Sequence, residues 1–402
     1  MITSSASRPG AATAPGPPRR RALPLIVRHR APHGALLALA LFAAVRAAGI
    51  AAVIATNALT DRPLVRNLAH SWDSRWYLNI AAHGYGRLIW ITPTGGVQSD
   101  WAFFPLYPAL VRAADTVLPL TPAAAAVLLS WTAAVVAAYG VYLIGHHLYG
   151  RATATALVTL WAALPHAVEL TIAYTESLFA ALAAWSLYCV LKDRWLWAGT
   201  LALLAGLARP TGFAVAAAVI AAAAQQCWLR RGQVAPGVWA AALLAPLGWL
   251  GYVLWVGWCT GDPTGGYFSV QGAWGSRIDF GAGAARFVGA LLAHGGQVIY
   301  PVALALVLIS LVLFALLCLE RAPLALVAFT GVLVLLVVLG SGSFSSKPRF
   351  LLPAFPLLIP AARALTRAWR TRPAAALLVG GALAAVSVLY GAYVTVLVHS
   401  PL

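Results

Sequence analysis

The sequence predicts an all-helical protein that crosses a membrane many times, and three observations carry that reading. Hydrophobic residues make up 61% of the chain and charged residues only 9%, with a mean hydropathy of +0.83. Apolar runs of about 20 residues, the length that spans a bilayer, recur along it. A soluble core of this size needs a charged shell, which 27 basic and 10 acidic side chains cannot supply. The net charge of +17 would point to nucleic acid in a soluble protein. Here the basic residues fall between the apolar runs, where membrane topology accounts for them, so nucleic acid is not an expected partner.

Residues 1–33, with PGPPRRR and then VRHR, read as a disordered basic cytoplasmic tail. The apolar run 34–57 follows that basic stretch as a signal peptide would. It is too long for such a leader and lacks a convincing cleavage site, so it is expected to stay as the first span. Arg46 lies inside it with no partner that the sequence identifies. Residues 62–83 then predict one short helix, with Thr60 and Asp61 available as caps, Pro63 in the first turn and Gly84 to end it. Leu64, Leu68, Trp72, Trp76 and Ile80 recur every four residues, an apolar stripe that suits a helix lying on the membrane. The adjacent face carries Arg66, His70, Asp73 and Tyr77, and Asp73 beside Trp72 is a candidate base. Asp100 stands before Trp101-Ala102-Phe103-Phe104-Pro105-Leu106-Tyr107-Pro108, a bent segment entering the membrane. Three readings stand: a donor lipid lies along it, Asp100 is a second carboxylate in the site, or Asp100 caps an interfacial anchor.

Further spans are expected near 121–145, 152–171, 174–191, 236–258, 297–319, 323–341, 350–368 and 373–397. The stretch 195–226 is too long for one span and is broken by Arg209-Pro210-Thr211-Gly212. Its flanks are both basic, which favours two short helices that go out and return, making eleven segments in a single domain over 34–397. With the N-terminus inside, Arg151, Lys192, Arg194, Arg230, Arg231, Arg321, Arg363, Arg367, Arg370 and Arg372 fall on the cytoplasmic side. Asp61, Asp73, Asp100, Asp115, Glu169, Glu176, Asp262 and Asp279 fall outside, along with two long connections at 58–120 and 259–296. Long connections commonly carry function.

Several candidates lie on this outer side. Glu176 can hydrogen-bond sugar hydroxyls, whereas Glu169 reads as a loop-edge charge. Arg209 either faces an anionic ligand or pairs with an acid such as Glu176, because an unpaired charge there is costly. Lys347 and Arg349 precede a short span, and the guanidinium fork of Arg349 suits a phosphate, with headgroup anchoring as the alternative. The four cysteines show no C-x-x-C spacing, and Gly261-Asp262-Pro263-Thr264-Gly265-Gly266 lacks the Lys-Ser/Thr of a nucleotide loop. No H-E-x-x-H or G-x-S-x-G pattern is present, which sets protease and hydrolase readings aside.

One ordered series of motifs is more specific. WDSRWYLNIAAHGY, DWAFFPLYPALVR, AYTES, ARPTG and KPRFLLPAFPL, over about 60–365, resemble the phosphatidylinositol-glycan class V type mannosyltransferases and their bacterial relatives. That resemblance implies a GT-C class glycosyltransferase, with a polyprenyl-phosphate-mannose donor and a site on the non-cytoplasmic face. It implies an acidic general base in the first external loop, here Asp73. The residues themselves offer Arg349, Arg209 and Lys347 for the donor phosphate, and Asp100, Glu176, Tyr77, His70 and Trp72 around the substrates. No cofactor is expected, and the single Asp at this point, without an Asp-x-Asp pair, gives no indication of a divalent metal. The acceptor is a glycan, lipid or protein of a bacterial envelope, in keeping with an Ala, Arg and Gly bias and only Lys192 and Lys347 as lysines. A lipid-linked-sugar flippase and a non-catalytic scaffold are the competing classes. A transporter tends to place charges at the midplane of two repeats, which this sequence does not show.

Overall fold

The computed structural model describes residues 33–60, 68–92 and 96–398. The expected tail, His33 apart, lies outside the described residues, as do Asp61, Pro63, Leu64 and Arg66 of the predicted interfacial helix. The chain is a mostly helical, polytopic membrane protein. Among the described residues, six helices are long and apolar enough to cross a bilayer: Gly34–Thr60, Pro122–Tyr149, Pro210–Leu229, Pro236–Cys259, Ile299–Leu319 and Pro373–Leu397. A seventh candidate is the pair Phe344–Leu351 and Phe355–Thr371, bent by 78°, and Glu176–Leu191, Trp195–Ala208 and Leu324–Leu339 are shorter apolar helices.

These elements fall close to the predicted spans, with two informative departures. The expected span at 152–171 stops early: the helix Arg151–Ala162 gives way to a 3-10 turn at Pro165–Leu170. Pro165 has no N–H to continue the helical ladder, so the chain turns before reaching Glu176. The predicted span at 350–368 is bent: Pro353 falls in the break between its two halves and Pro356 in the first turn of the second. The broken stretch 195–226 does form two helices, Trp195–Ala208 and Phe213–Leu229, joined at Pro210–Gly212.

Small residues let the inner helices approach. A Cβ on Gly140 would meet the Ala184 Cβ at 3.0 Å, and one on Gly145 would meet the Ala154 Cα at 2.9 Å. Lipid-like surroundings supply little hydrophobic drive between helices, so close packing of this kind is what holds them. Ile299–Leu319 faces outward instead, exposing Leu308, Ile309, Leu311, Val312 and Leu316. Arg46 has partners after all: its Nη2 donates to the Ala162 carbonyl at 2.6 Å and to the Ser387 hydroxyl at 2.9 Å. The guanidinium thereby ties the first helix to Arg151–Ala162 and Pro373–Ala392 while covering a carbonyl left open at a helix end.

The two ends of the bundle differ in chemistry. At one end Arg363 pairs with Glu320 at 2.7 Å and lies over the Tyr149 ring, and Lys192 meets His147 at 3.1 Å. The other end holds the chain-order neighbours of Asp73, Glu176 and the Pro210–Gly212 turn. There the connection after residue 84 forms a small antiparallel hairpin, Ile89–Ile91 with Val97–Ser99, pairing Trp90 with Gln98. The all-helical expectation holds for the membrane part, while this hairpin is an addition to it. Its signal is the Ile-Trp-Ile run, whose residues favour a pleated surface.

Candidate functional site

The predicted continuous helix over 62–83 does not form as one piece. Residues 70–73 make a turn, Trp72 sits at φ 45°, and the helix begins at Ser74 and ends at His83. A bulky residue in the left-handed region is strained, and such positions persist only where the surroundings impose them. Here Trp72 packs beside Ile299, Tyr390 and Val394. The Leu68 carbonyl accepts from the Ala173 N–H at 2.8 Å, and the Asp73 N–H donates to the Tyr174 hydroxyl at 3.2 Å. The turn that presents Asp73 is thus bonded to the connection that leads into Glu176.

Three further elements converge on it. Glu176 occupies the first turn of Glu176–Leu191, Arg209 is the extended residue that closes Trp195–Ala208, and Arg349 lies on the short helix Lys347–Leu351. The Arg209 guanidinium pairs with the Glu176 carboxylate. Arg349 pairs through Nη2 with Asp73 at 2.7 Å, and its Nε lies 3.8 Å from Glu176. Arg349 also lies over the rings of Tyr174 and Phe350, at 5.6 and 5.4 Å from their centroids, and Arg209 lies 5.7 Å from Phe350. The Asp73 side chain is 19% exposed and that of Arg349 12%, against 2% for Glu176. The cluster is therefore open to ligand on the Asp73 side and closed behind Glu176. Among the described residues, the Nε and Nη1 of Arg349 are buried without hydrogen-bond partners, so its planar fork has donors to spare.

The structure brings Asp73, Glu176, Arg209 and Arg349 together and places Tyr77 beside them, its hydroxyl 3.3 Å from that of Thr175. Burial pushes the Tyr77 phenol above its usual range, which keeps it a neutral hydroxyl. Asp100 is elsewhere: its carboxylate accepts from the backbone N–H groups of Gly86, Arg87 and Leu88 at 3.0, 3.1 and 3.3 Å, so it holds the loop before the hairpin. Lys347 is also engaged elsewhere, its ammonium donating to the carbonyls of Val337 and Gly340 at the end of Leu324–Leu339. Those carbonyls are among the ones a helix end leaves open, and a cation there is favourable. His70 is exposed and contributes its carbonyl to Arg75 Nε at 3.1 Å.

Glu169 is not a loop-edge charge. It is fully buried in the Pro165–Leu170 turn, and among the described residues neither carboxyl oxygen has a hydrogen-bond partner. Burial pushes its carboxyl well above the usual range and the Glu176 charge adds to this, while Arg349 and Arg209 oppose it. Burial without partners favours the neutral form of this acid. His166, three residues earlier on the same eclipsed face of the 3-10 turn, lines a cavity of about 70 Å³ with Leu306, Ile309, Leu313, Leu351 and Leu357. Sequence reasoning misread Glu169 and missed His166, because a Pro-led turn in an apolar run looks like part of a span.

No protein-family model matches the chain, and no curated protein matches it. Among solved structures, it is similar to the apo form of the Archaeoglobus fulgidus oligosaccharyltransferase, with a TM-score of 0.52 and 14% identity. That match covers 91% of this chain and 56% of the other. The archaeal oligosaccharyltransferase AglB from the same organism, in complex with an inhibitory peptide and a dolichol-phosphate, gives a TM-score of 0.51 at 15% identity, with the same coverage of both chains. The chain therefore spans little more than half the length of these structures, and the likeness is one of fold.

Proposed function

We propose that the chain is a GT-C class glycosyltransferase that moves mannose from a polyprenyl-phosphate donor to an envelope glycan, lipid or protein on the non-cytoplasmic face. The observation that carries this reading is the cluster itself, a partly exposed carboxylate set 2.7 Å from a guanidinium with unused donors. A base for the acceptor hydroxyl and a fork for the leaving phosphate are the two groups that transfer from a sugar phosphate needs within one site. The shared fold with an oligosaccharyltransferase supports it, since one of those structures holds a dolichol-phosphate. So do the sequence motifs, which supply Asp73, Glu176, Arg209 and Arg349.

In this reading the acceptor hydroxyl attacks the anomeric carbon on the face opposite the phosphate, and its proton passes to the Asp73 carboxylate. General-base help of this kind is worth a factor of about 10² to 10⁴ in rate. The bond from the anomeric carbon to the phosphate oxygen breaks, its electron pair stays on the polyprenyl phosphate, and the sugar is inverted. Arg349 meets the charge that develops on that oxygen. Glu176 holds Arg209 and faces Arg349, so it acts as a positioning residue, and the apolar cavity beside His166 offers room to prenyl carbons.

The test is transfer of labelled mannose from polyprenyl-phosphate-mannose by membranes containing wild type or Asp73→Asn. Label should enter one acceptor fraction with wild type and fall at least about 100-fold in the variant. Turnover at the wild-type level in the variant removes the base assignment. If folded wild type supplied with its own envelope fractions transfers nothing, the transferase reading gives way to the flippase.

A further inference from the structure

The ion pair at the centre of the site poses a conflict for the proposed reaction. Asp73 and Arg349 hold one another at 2.7 Å, yet the base has to meet a hydroxyl and the guanidinium has to meet a phosphate. The two partners are held very differently. Arg349 is braced by Glu176 at 3.8 Å and lies over the Tyr174 and Phe350 rings, so it keeps its place without Asp73. Asp73 is fixed through its backbone, by the N–H bond to Tyr174 at 3.2 Å. Among the described residues, its carboxylate bonds only to Arg349. Rotation of that one side chain breaks the pair and leaves everything else in position.

We infer that the Asp73 carboxylate is a stand-in for the donor phosphate: it fills the anion position on Arg349 until a phosphate displaces it, and only then is it released as the base. This rests on the donor reading proposed above. Two anions compete here for one buried fork, and once both are present they repel each other across the site. The donor must therefore bind before the acceptor hydroxyl is activated, which protects the cluster from proton abstraction without a sugar to transfer. Removing the charge of Asp73 while keeping its shape has an unusual consequence: donor phosphate binds more tightly although transfer is lost.

The experiment uses the full chain in lipid nanodiscs and measures binding of decaprenyl monophosphate, which carries no sugar and cannot turn over. Asp73→Asn is expected to bind it about tenfold more tightly than wild type, about 1.4 kcal/mol. Asp73→Ser, which also lacks the charge, should follow it, so that one misfolded variant does not decide the result. Asp115→Asn, which deletes the same charge outside the cluster, should bind as wild type does. Equal or weaker binding in both Asp73 variants overturns the stand-in. Labelled-mannose transfer, run in parallel, then shows whether the transferase reading survives by itself. Absence of binding in wild type and variants alike overturns the donor reading and the stand-in together.

Discussion

At the scale of single residues, the charges of the cluster are explained by the partners they find or lack. Glu176 serves two guanidiniums and is almost completely buried, so Glu176→Gln leaves Arg209 without its counter-charge in a poorly solvated place. Breaking a buried pair from one side costs about 3 to 5 kcal/mol. Thermal unfolding in detergent should show a large loss for Glu176→Gln, whereas Glu169→Gln, an uncharged isostere of an already neutral acid, should unfold close to wild type. A drop of equal size for Glu169→Gln would mean that its carboxyl is ionised. Much of the site was legible at this scale. Asp73, Arg349, Arg209 and Glu176 stand out because charge is rare in an apolar chain and costs too much to be incidental. Asp100 and Lys347 stand out for the same reason, but their charge is spent on backbone groups, and a sequence does not distinguish a ligand from a loop or helix cap.

At the scale of elements, the breaks in the helices do the positioning. Arg209 reaches the cluster because its helix ends there in extended backbone and turns through Pro210–Gly212. Gly212 makes that turn possible: a Cβ at this position would lie 2.6 Å from the Gly206 Cα. Gly212→Val should force the turn open and withdraw Arg209 from Glu176. The expected outcome is a lower unfolding temperature together with lost transfer, both measured on the detergent-solubilised protein; wild-type values for both would mean that the turn absorbs the branch. The predicted helix over 62–83 was wrong in the same informative way. Its four-residue stripe is real, but packing of Trp72 against Ile299 and Tyr390 breaks the helix just before Ser74. Local periodicity cannot register a contact with residues more than two hundred positions away.

At the scale of the whole molecule, the charged cluster and the Arg363–Glu320 pair mark opposite ends of the bundle. The chain's own cysteines can test which end faces out. Cys259 is exposed and follows Tyr252, whose hydroxyl donates to the carbonyls of Trp101 and Phe103 on the cluster side, at 3.0 and 2.6 Å. Cys318 is exposed beside Glu320 at the other end. A membrane-impermeant maleimide applied to whole cells should therefore label Cys259 and spare Cys318, read by mass spectrometry of the peptides; the reverse pattern would put the cluster on the cytoplasmic side. By itself the sequence determined the class, the succession of apolar helices and the helix pair broken at Pro210–Gly212. Those follow from hydropathy and from the cost of bare backbone in lipid, both of which act locally. Only the tertiary structure decided which charges meet. It put Asp73 against Arg349, gave Arg46 its partners on two other helices, and buried Glu169 without one. Such pairings depend on close packing between segments far apart in the chain, and that geometry is set by the assembled bundle rather than by any stretch of it.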